Sequence, residues 1–483
     1  MIVARLEANS LSTLTLKADD DAPRLFTAAL NSVKTSAAPR SVGLTEVPGP
    51  NDRDFWDKVI EGIRAHEAGE RSVTRGPNGV VVSTYGGNDE VKVEQLPDGR
   101  LKITVKGAWL PIYVDPSEGP VTIDAGSGND IVIVSANVGR GVTLKGGSGN
   151  DYLEGGSGAD VILGGDGYDV IYGLDGNDLI YAGGGNDYVD AGAGNDRAYG
   201  GAGNDIVSAG RGDDWISGDA GNDVLIAAAG QDIVDDSGGR DKDLVYAKAG
   251  DDVRLNGGSS SVLVQPGDHL GTSIRIEGDE SFKKRMESDL DTLRYIPVGQ
   301  QALASIDASG RTVTIMPSEA IPNNLDWTPQ WKAVVPYNGW AKADGTNGDG
   351  ADVVIGAVPT DRADYDPTGD AQDWRASPPI FALFHEIAHA EDGVYGRVLP
   401  KTATSREYGQ DIPDSELSAT GLPFQQYGDE VPDPNNRVVT ENALRRELGW
   451  VERPAYSDPA NWATEGFGSA PNERRPTGPV RAV

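Results

Sequence analysis

Gly146-Gly147-Ser148-Gly149-Asn150-Asp151-Tyr152-Leu153 and Gly200-Gly201-Ala202-Gly203-Asn204-Asp205-Ile206-Val207 are two copies of one block, and the spacing of their aspartates decides the fold of the middle of the chain. Asp151, Asp160, Asp169, Asp178, Asp187, Asp196, Asp205, Asp214, Asp223 and Asp232 follow one another at a strict nine-residue period. The block is the G-G-x-G-x-D-x-U-x nonapeptide of a parallel β-helix that binds calcium. Glycines let the backbone turn with positive φ, and their carbonyls join the aspartate carboxylates in the all-oxygen shell that calcium prefers. The apolar residue two places after most aspartates (Leu153, Ile162, Ile171, Ile180, Val189, Val207, Ile216, Leu225, Val234) is expected to point into a narrow core. Two nonapeptides then make one coil, with several calcium ions bound between successive turns on each edge. A disordered Gly/Asp-rich linker has no physical reason to keep such a period.

Asp130 stands at the front of the series, and ragged copies follow near Asp243 and Asp252. The pattern resembles the RTX family of secreted bacterial proteins over residues 124–258. That resemblance implies a calcium-bound β-roll and export from the cell.

Charge supports the same reading. With 42 Lys and Arg against 75 Asp and Glu, the formal net charge is −33. An unliganded solenoid of this composition repels itself, so calcium binding and folding are nearly one event. Extracellular calcium modules bind at roughly 10⁻⁴ to 10⁻³ M, so the segment folds only outside a bacterium. Nucleic acid is an unfavourable partner for so acidic a chain. There is no cysteine, which excludes disulfides and thiolate zinc sites. Met1 to Leu30 has no continuous apolar core and nothing elsewhere approaches a membrane span, so export is expected by a route that does not read an amino-terminal signal peptide.

The composition changes twice along the chain, which predicts a multidomain protein. Residues 1–50 are expected to be a loosely ordered segment. Residues 51–123 are read as a helix (Asn51 to Glu70) followed by strands that cap the solenoid, with turns at Gly86-Gly87-Asn88-Asp89 and Pro97-Asp98-Gly99. The β-roll over 124–258 is followed by closing strands and a linker over 259–280. An α+β domain is expected over 281–465 and a disordered tail over 466–483. A monomer is expected.

The second informative motif is Phe381-Ala382-Leu383-Phe384-His385-Glu386-Ile387-Ala388-His389-Ala390. Two histidines four apart on a helix share one face and reach one zinc ion. Glu386, next to His385 around the helix, is placed to take a proton from the water that zinc activates. This is the zincin arrangement. Isoleucine, leucine and phenylalanine around the motif bury the helix, and bare buried imidazoles require partners.

A third ligand is required, and His66 and His269 lie far along the chain, so a carboxylate is expected. The extended motif with a third histidine is excluded, because its glycine and histidine positions hold Asp392 and Tyr395. Asp392 suits a supporting role. Glu441, on the apolar stripe of a capped helix over Thr440 to Gly449, is the better ligand, with Glu447, Asp429 and Glu430 as alternatives. Its place in a first turn also suits the helix dipole without any metal. Arg453 and Tyr456 are spaced to aim a guanidinium and a phenol at a developing oxyanion.

The zinc helix, Glu441-Asn442-x-x-Arg445 and Arg453-x-x-Tyr456 together resemble the effector-type, NleD-like zinc metallopeptidases that bacteria inject into host cells. Gly299 to Leu303 and Thr312 to Ile315 resemble that family's opening helix and strand. The resemblance spans residues 281–460 and implies a protein substrate, among them host signalling proteins. Such effectors are small and lack a calcium solenoid, and host cytosol holds too little calcium to fold these repeats. Either the enzyme acts outside cells or the repeats serve export alone.

The reading is a secreted, calcium-stabilised zinc metalloendopeptidase with His385, His389 and Glu441 on zinc, Glu386 as base and acid, and Tyr456 with Arg453 on the oxyanion. The solenoid is expected to act as folding switch and spacer. The competing reading is a calcium-dependent surface- or matrix-binding protein with an inactive peptidase-like domain. A metalloenzyme hydrolysing something other than peptides is a third.

Overall fold

In the computed structural model the described residues are 14–15, 27–28, 72–84, 86–108, 111–236, 241–317, 332–334, 349–357, 378–395, 402–404, 411–413 and 439–449. The helix expected at 51–70, Arg453, Tyr456, Asp429, Glu430 and the tail lie outside them. The chain divides into residues 1–61 and 62–483. In the first unit the described part is one antiparallel pair, Leu14–Thr15 with Thr27–Ala28.

The second unit contains a parallel β-solenoid of about eight turns followed by a mixed α/β domain. Residues 18 apart pair in register, so two nonapeptides make one coil. One ladder of the first sheet runs Leu144, Ile162, Ile180, Ala198, Ile216 and Val234. Its counterpart in the second sheet runs Leu153, Ile171, Val189, Val207, Leu225 and Val245. All twelve side chains are fully buried and form one interior core. At the amino-terminal end, Gly79–Ser83 and Glu90–Gln95 continue the two sheets in parallel. Antiparallel Ser72–Gly76, Leu101–Val105 and Ile112–Val114 then finish the edges. These hairpins leave no long parallel edge for another chain to join.

The α/β domain holds four described helices: α1 (Glu280–Arg294), α2 (Pro297–Ala308), α3 (Pro379–Val394) and α4 (Glu441–Glu447). Its four-stranded sheet has the order Ile274–Ile276, Val313–Pro317, Val353–Ala357, Lys332–Val334, with only the last strand antiparallel. Helix α3 is buried almost all round, as a central helix must be.

The two parts share a core. Phe282, Met286, Leu290 and Leu293 form one stripe of α1, and they belong to the same cluster as Tyr152, Val170, Tyr172, Tyr188, Ile206, Ile226 and Tyr246 on the outer face of the second solenoid sheet. Each such apolar side chain contributes about 1.5–3 kcal/mol on burial. The solenoid is therefore the floor of the α/β domain, and the expectation of a plain spacer gives way to a packed surface. Polar contacts fill the remainder. Arg285, 1% exposed, lies over the ring of Tyr172 and pairs with Asp289 at 2.8 Å. Tyr172 Oη donates to Asp289 at 3.0 Å, and Arg285 Nε donates to Tyr152 Oη at 2.9 Å. Asp190 accepts from Ser288 and Thr292 of α1, and Lys284 pairs with Asp175.

Candidate metal centres

The solenoid aspartates are built into a ladder of their own. Except at Asp160, whose Oδ1 accepts the N–H of Val142, Oδ1 of each accepts the backbone N–H of the aspartate one coil earlier, from Asp130 onto Asp151 at 2.7 Å through Asp205 onto Asp223 at 2.8 Å. Where a glycine opens the block it leaves room for the carboxylate: a Cβ added to Gly164 would lie 2.4 Å from Asp169 Oδ2. The second oxygens of Asp169, Asp178, Asp187, Asp196, Asp205, Asp214 and Asp223 are buried without a hydrogen-bond partner. Buried carboxylate oxygens cannot stay bare and charged. Burial first, then the neighbouring carboxylates, push Asp178 up to about 9 and Asp214 and Asp223 up to about 8, partly offset by the backbone N–H that each accepts. An oxygen-seeking cation between the coils resolves this strain, so the donor set fits calcium. Asp160 differs, because its Oδ2 accepts the N–H of Gly156 at 2.8 Å. Asp232 differs too: Lys248 Nζ stands 3.0 Å from its Oδ2 and 2.7 Å from Asp251, so a lysine ammonium occupies the place beside that carboxylate.

The second centre lies on α3 and α4. Helix α3 starts with proline at its first turn, where a missing N–H costs nothing. It places His385 and His389 one turn apart, each 7% exposed. Their Nε2 atoms are 3.2 Å apart and the rings cross at 81°. Two ligands at the Zn–N distance of about 2.0–2.1 Å stand roughly 3.3 Å apart along a tetrahedral edge, so the pair is spaced for zinc. Glu386, also 7% exposed, follows His385 on the same buried helix.

Helix α4 is capped by Thr440, whose Oγ1 accepts the N–H of Ala443 at 3.1 Å, and it brings Glu441 against α3. Glu441 Oε2 lies 3.1 Å from His385 Nδ1, and Oε1 accepts from Arg445 Nε at 2.6 Å. Arg445 in turn lies over the ring of Phe381. The carboxylate thus meets the far side of the His385 ring, away from Nε2. Among the described residues, no three side chains of His, Cys, Asp or Glu converge on one point that a metal ion would occupy. The histidine pair fits zinc, and Glu441 in this arrangement fits the part of the group that fixes ring tautomer and orientation.

Asp392, buried at 4% exposure, lies one turn beyond His389 on α3. Its neighbour Glu391 accepts from Ser305 of α2 at 2.7 Å. Glu447 holds the N–H of Val298 at the start of α2 at 2.9 Å, which removes it from the ligand candidates by position. Ala351 N donates to Gly393 O at the end of α3, and Asp352 accepts from Thr312 N. Sequence reasoning missed Asp190, Arg285 and Tyr246, which join the two parts.

A calcium-type solenoid packed against an α/β unit with a histidine pair and an adjacent glutamate on its central helix defines the class: calcium-binding repeats joined to a peptidase-like domain. Comparison with known families agrees. Residues 271–456 match the Peptidase_M91 family, described as an effector protein. Residues 117–136, 143–171, 163–198 and 199–234 match the RTX calcium-binding nonapeptide repeat. Both resemblances drawn from the sequence are borne out. No curated protein and no solved structure matches the chain significantly. Among the described residues, no helix is long and apolar enough to cross a membrane.

Proposed function

We propose that this protein is a zinc metalloendopeptidase of the effector type that cleaves host proteins and acts after export, with its repeats folded by calcium. The observation that carries the reading is the 3.2 Å separation of the two Nε2 atoms on a helix whose next residue is Glu386. His385 and His389 supply two of the zinc ligands, and Glu441 holds His385 from its Nδ1 side, keeping Nε2 free of a proton. The third-ligand role expected for Glu441 is the alternative, decided by whether Glu441→Gln still binds zinc. Zinc, when bound, supplies Lewis acidity toward a carbonyl oxygen and makes water acidic enough to be deprotonated near pH 7. Glu386 takes the proton from the attacking water and delivers it to the departing amine nitrogen. Arg453 and Tyr456, outside the described residues, are proposed to stabilise the charge that develops on the carbonyl oxygen.

The test pairs the wild type with Glu386→Ala. Both are analysed for zinc and incubated with a general protein substrate in millimolar calcium. One zinc in each protein, with cleavage by the wild type alone, supports the peptidase. A protein without zinc, or one equally inert with every substrate, returns the chain to the calcium-dependent binding reading.

A further inference from the structure

We infer that the calcium-loaded solenoid positions Glu441 through the contact of Tyr246 with Glu447, and so sets the zinc affinity of the histidine pair. This rests on the zinc reading above. It makes Tyr246 and Glu447 positioning residues of a site they do not touch.

Helix α4 has seven residues, too short to hold its own direction. Glu441 opens it and Glu447 closes it. At its end, the carbonyl of Glu447, one of the acceptors a helix leaves open, receives Tyr246 Oη at 3.1 Å. The carboxylate of the same residue receives the N–H of Val298 at 2.9 Å. That N–H belongs to the first turn of α2, whose N-cap Ile296 offers no side-chain acceptor. One residue therefore ties α4 to the solenoid with its backbone and to α2 with its side chain. At about 1.5 Å rise per residue, Glu441 lies roughly 9 Å from this anchor. A small swing at Glu447 then moves its carboxylate by more than the roughly 0.5 Å that a working site tolerates.

Tyr246 is itself a part of the repeat. It lies in Leu244–Ala247, paired on one side with Ile226 and on the other with Val262. The strand follows Asp243, whose Oδ1 accepts the N–H of Asp223 at 2.7 Å and so extends the aspartate ladder. Tyr246 is 3% exposed and belongs to the shared core with Leu444 and Leu448 of the α4 segment. Without calcium the strand has no ladder to hold it, and both the hydroxyl and this floor are lost to α4. Linkage requires the converse, that zinc tightens calcium by the same factor.

Zinc affinity is to be measured on full-length protein stripped of both metals over a chelating resin, by competition with a chromophoric zinc chelator, with and without millimolar calcium. Calcium is expected to raise zinc affinity at least tenfold, within the 10- to 100-fold that orienting partners command. Tyr246→Phe, in saturating calcium, is expected to lose about three- to tenfold, the weight of one hydrogen bond. Its calcium-induced folding by circular dichroism should match the wild type. Tyr181→Phe, on the opposite solenoid sheet at 43% exposure, is the control and should bind zinc as the wild type does. Equal zinc affinity with and without calcium overturns the inference and leaves the zinc site standing. A Tyr246→Phe protein that binds zinc normally, or whose calcium transition shifts as well, overturns the route through Tyr246. Absence of zinc binding in every condition overturns the zinc reading and the inference together.

Discussion

The guanidinium carbon of Arg285 lies 3.3 Å from the centre of the Tyr172 ring, a contact between residues 113 positions apart that fastens helix α1 to the solenoid. Arg285 is also the partner of Asp289, and both are buried. Removing one member of a buried pair leaves the other charge uncompensated, at a cost of about 3–5 kcal/mol. Arg285→Ala should therefore lower the stability of calcium-loaded protein by that amount and split its unfolding into two calorimetric transitions. A single unshifted transition would mean the pair holds nothing together.

Glu386→Ala should keep its zinc and lose about 10²- to 10⁴-fold in peptide cleavage, the usual share of a proton-transfer group. His389→Ala should lose the metal as well. Metal analysis beside a turnover assay separates these outcomes.

For Glu441→Gln the expected result is one zinc per chain, bound about 10- to 100-fold more weakly. Loss of all zinc at micromolar metal would instead make Glu441 a direct ligand.

Asp190 is buried under α1, and burial first, then the neighbouring Asp289 carboxylate, pushes it up to about 7. In an unfolded chain the same group titrates near 3.9. Below that pH it is neutral in both states and costs nothing. As pH rises toward 7 the unfolded state ionises first, so folding stability falls across roughly pH 4 to 7. Asp190→Asn should flatten this part of the stability profile, measured by denaturant unfolding in saturating calcium.

Gly203 sits at φ 141°, and a Cβ there would meet Gly185 O at 1.5 Å. Gly203→Ala should cost more than the roughly 1–2 kcal/mol of backbone strain alone and raise the calcium concentration needed for folding. An unchanged calcium midpoint would show that the coils can part there freely.

Much of the solenoid was legible in the sequence because its rule is local. Asp151, Asp169 and Asp187 each do the same thing 18 residues further on, so one coil predicts the next. The histidine pair was legible for a similar reason, since four residues on a helix fix a common face. The position of Glu441 was harder to read. Its helix could be drawn from Thr440 and Gly449, but whether its carboxylate meets Nδ1 or Nε2 of His385 depends on packing between segments 56 residues apart. The joint between the two parts left a fainter mark. Tyr152, Val170, Tyr188, Ile206 and Val224 all point outward yet are apolar, one per coil, which is how a covered face reads. The corresponding positions of the other sheet are Val161, Leu179, Trp215 and Ile233, only partly covered, and Arg197, which is charged and exposed. Sequence alone could not say that α1 supplies the cover.

Repeat arrays commonly gain and lose units, because each unit contacts only its neighbours. Here α1 touches Tyr152, Tyr172, Asp190 and Ser208 on successive coils, and Tyr246 reaches α4 two coils later. One coil more or fewer inside that stretch would shift the second contact by about 4.8 Å against the first. The copy number is therefore locked between Tyr152 and Tyr246, and the N–H of Ala136, which donates to Ser281 at the start of α1, extends the lock to the coil before.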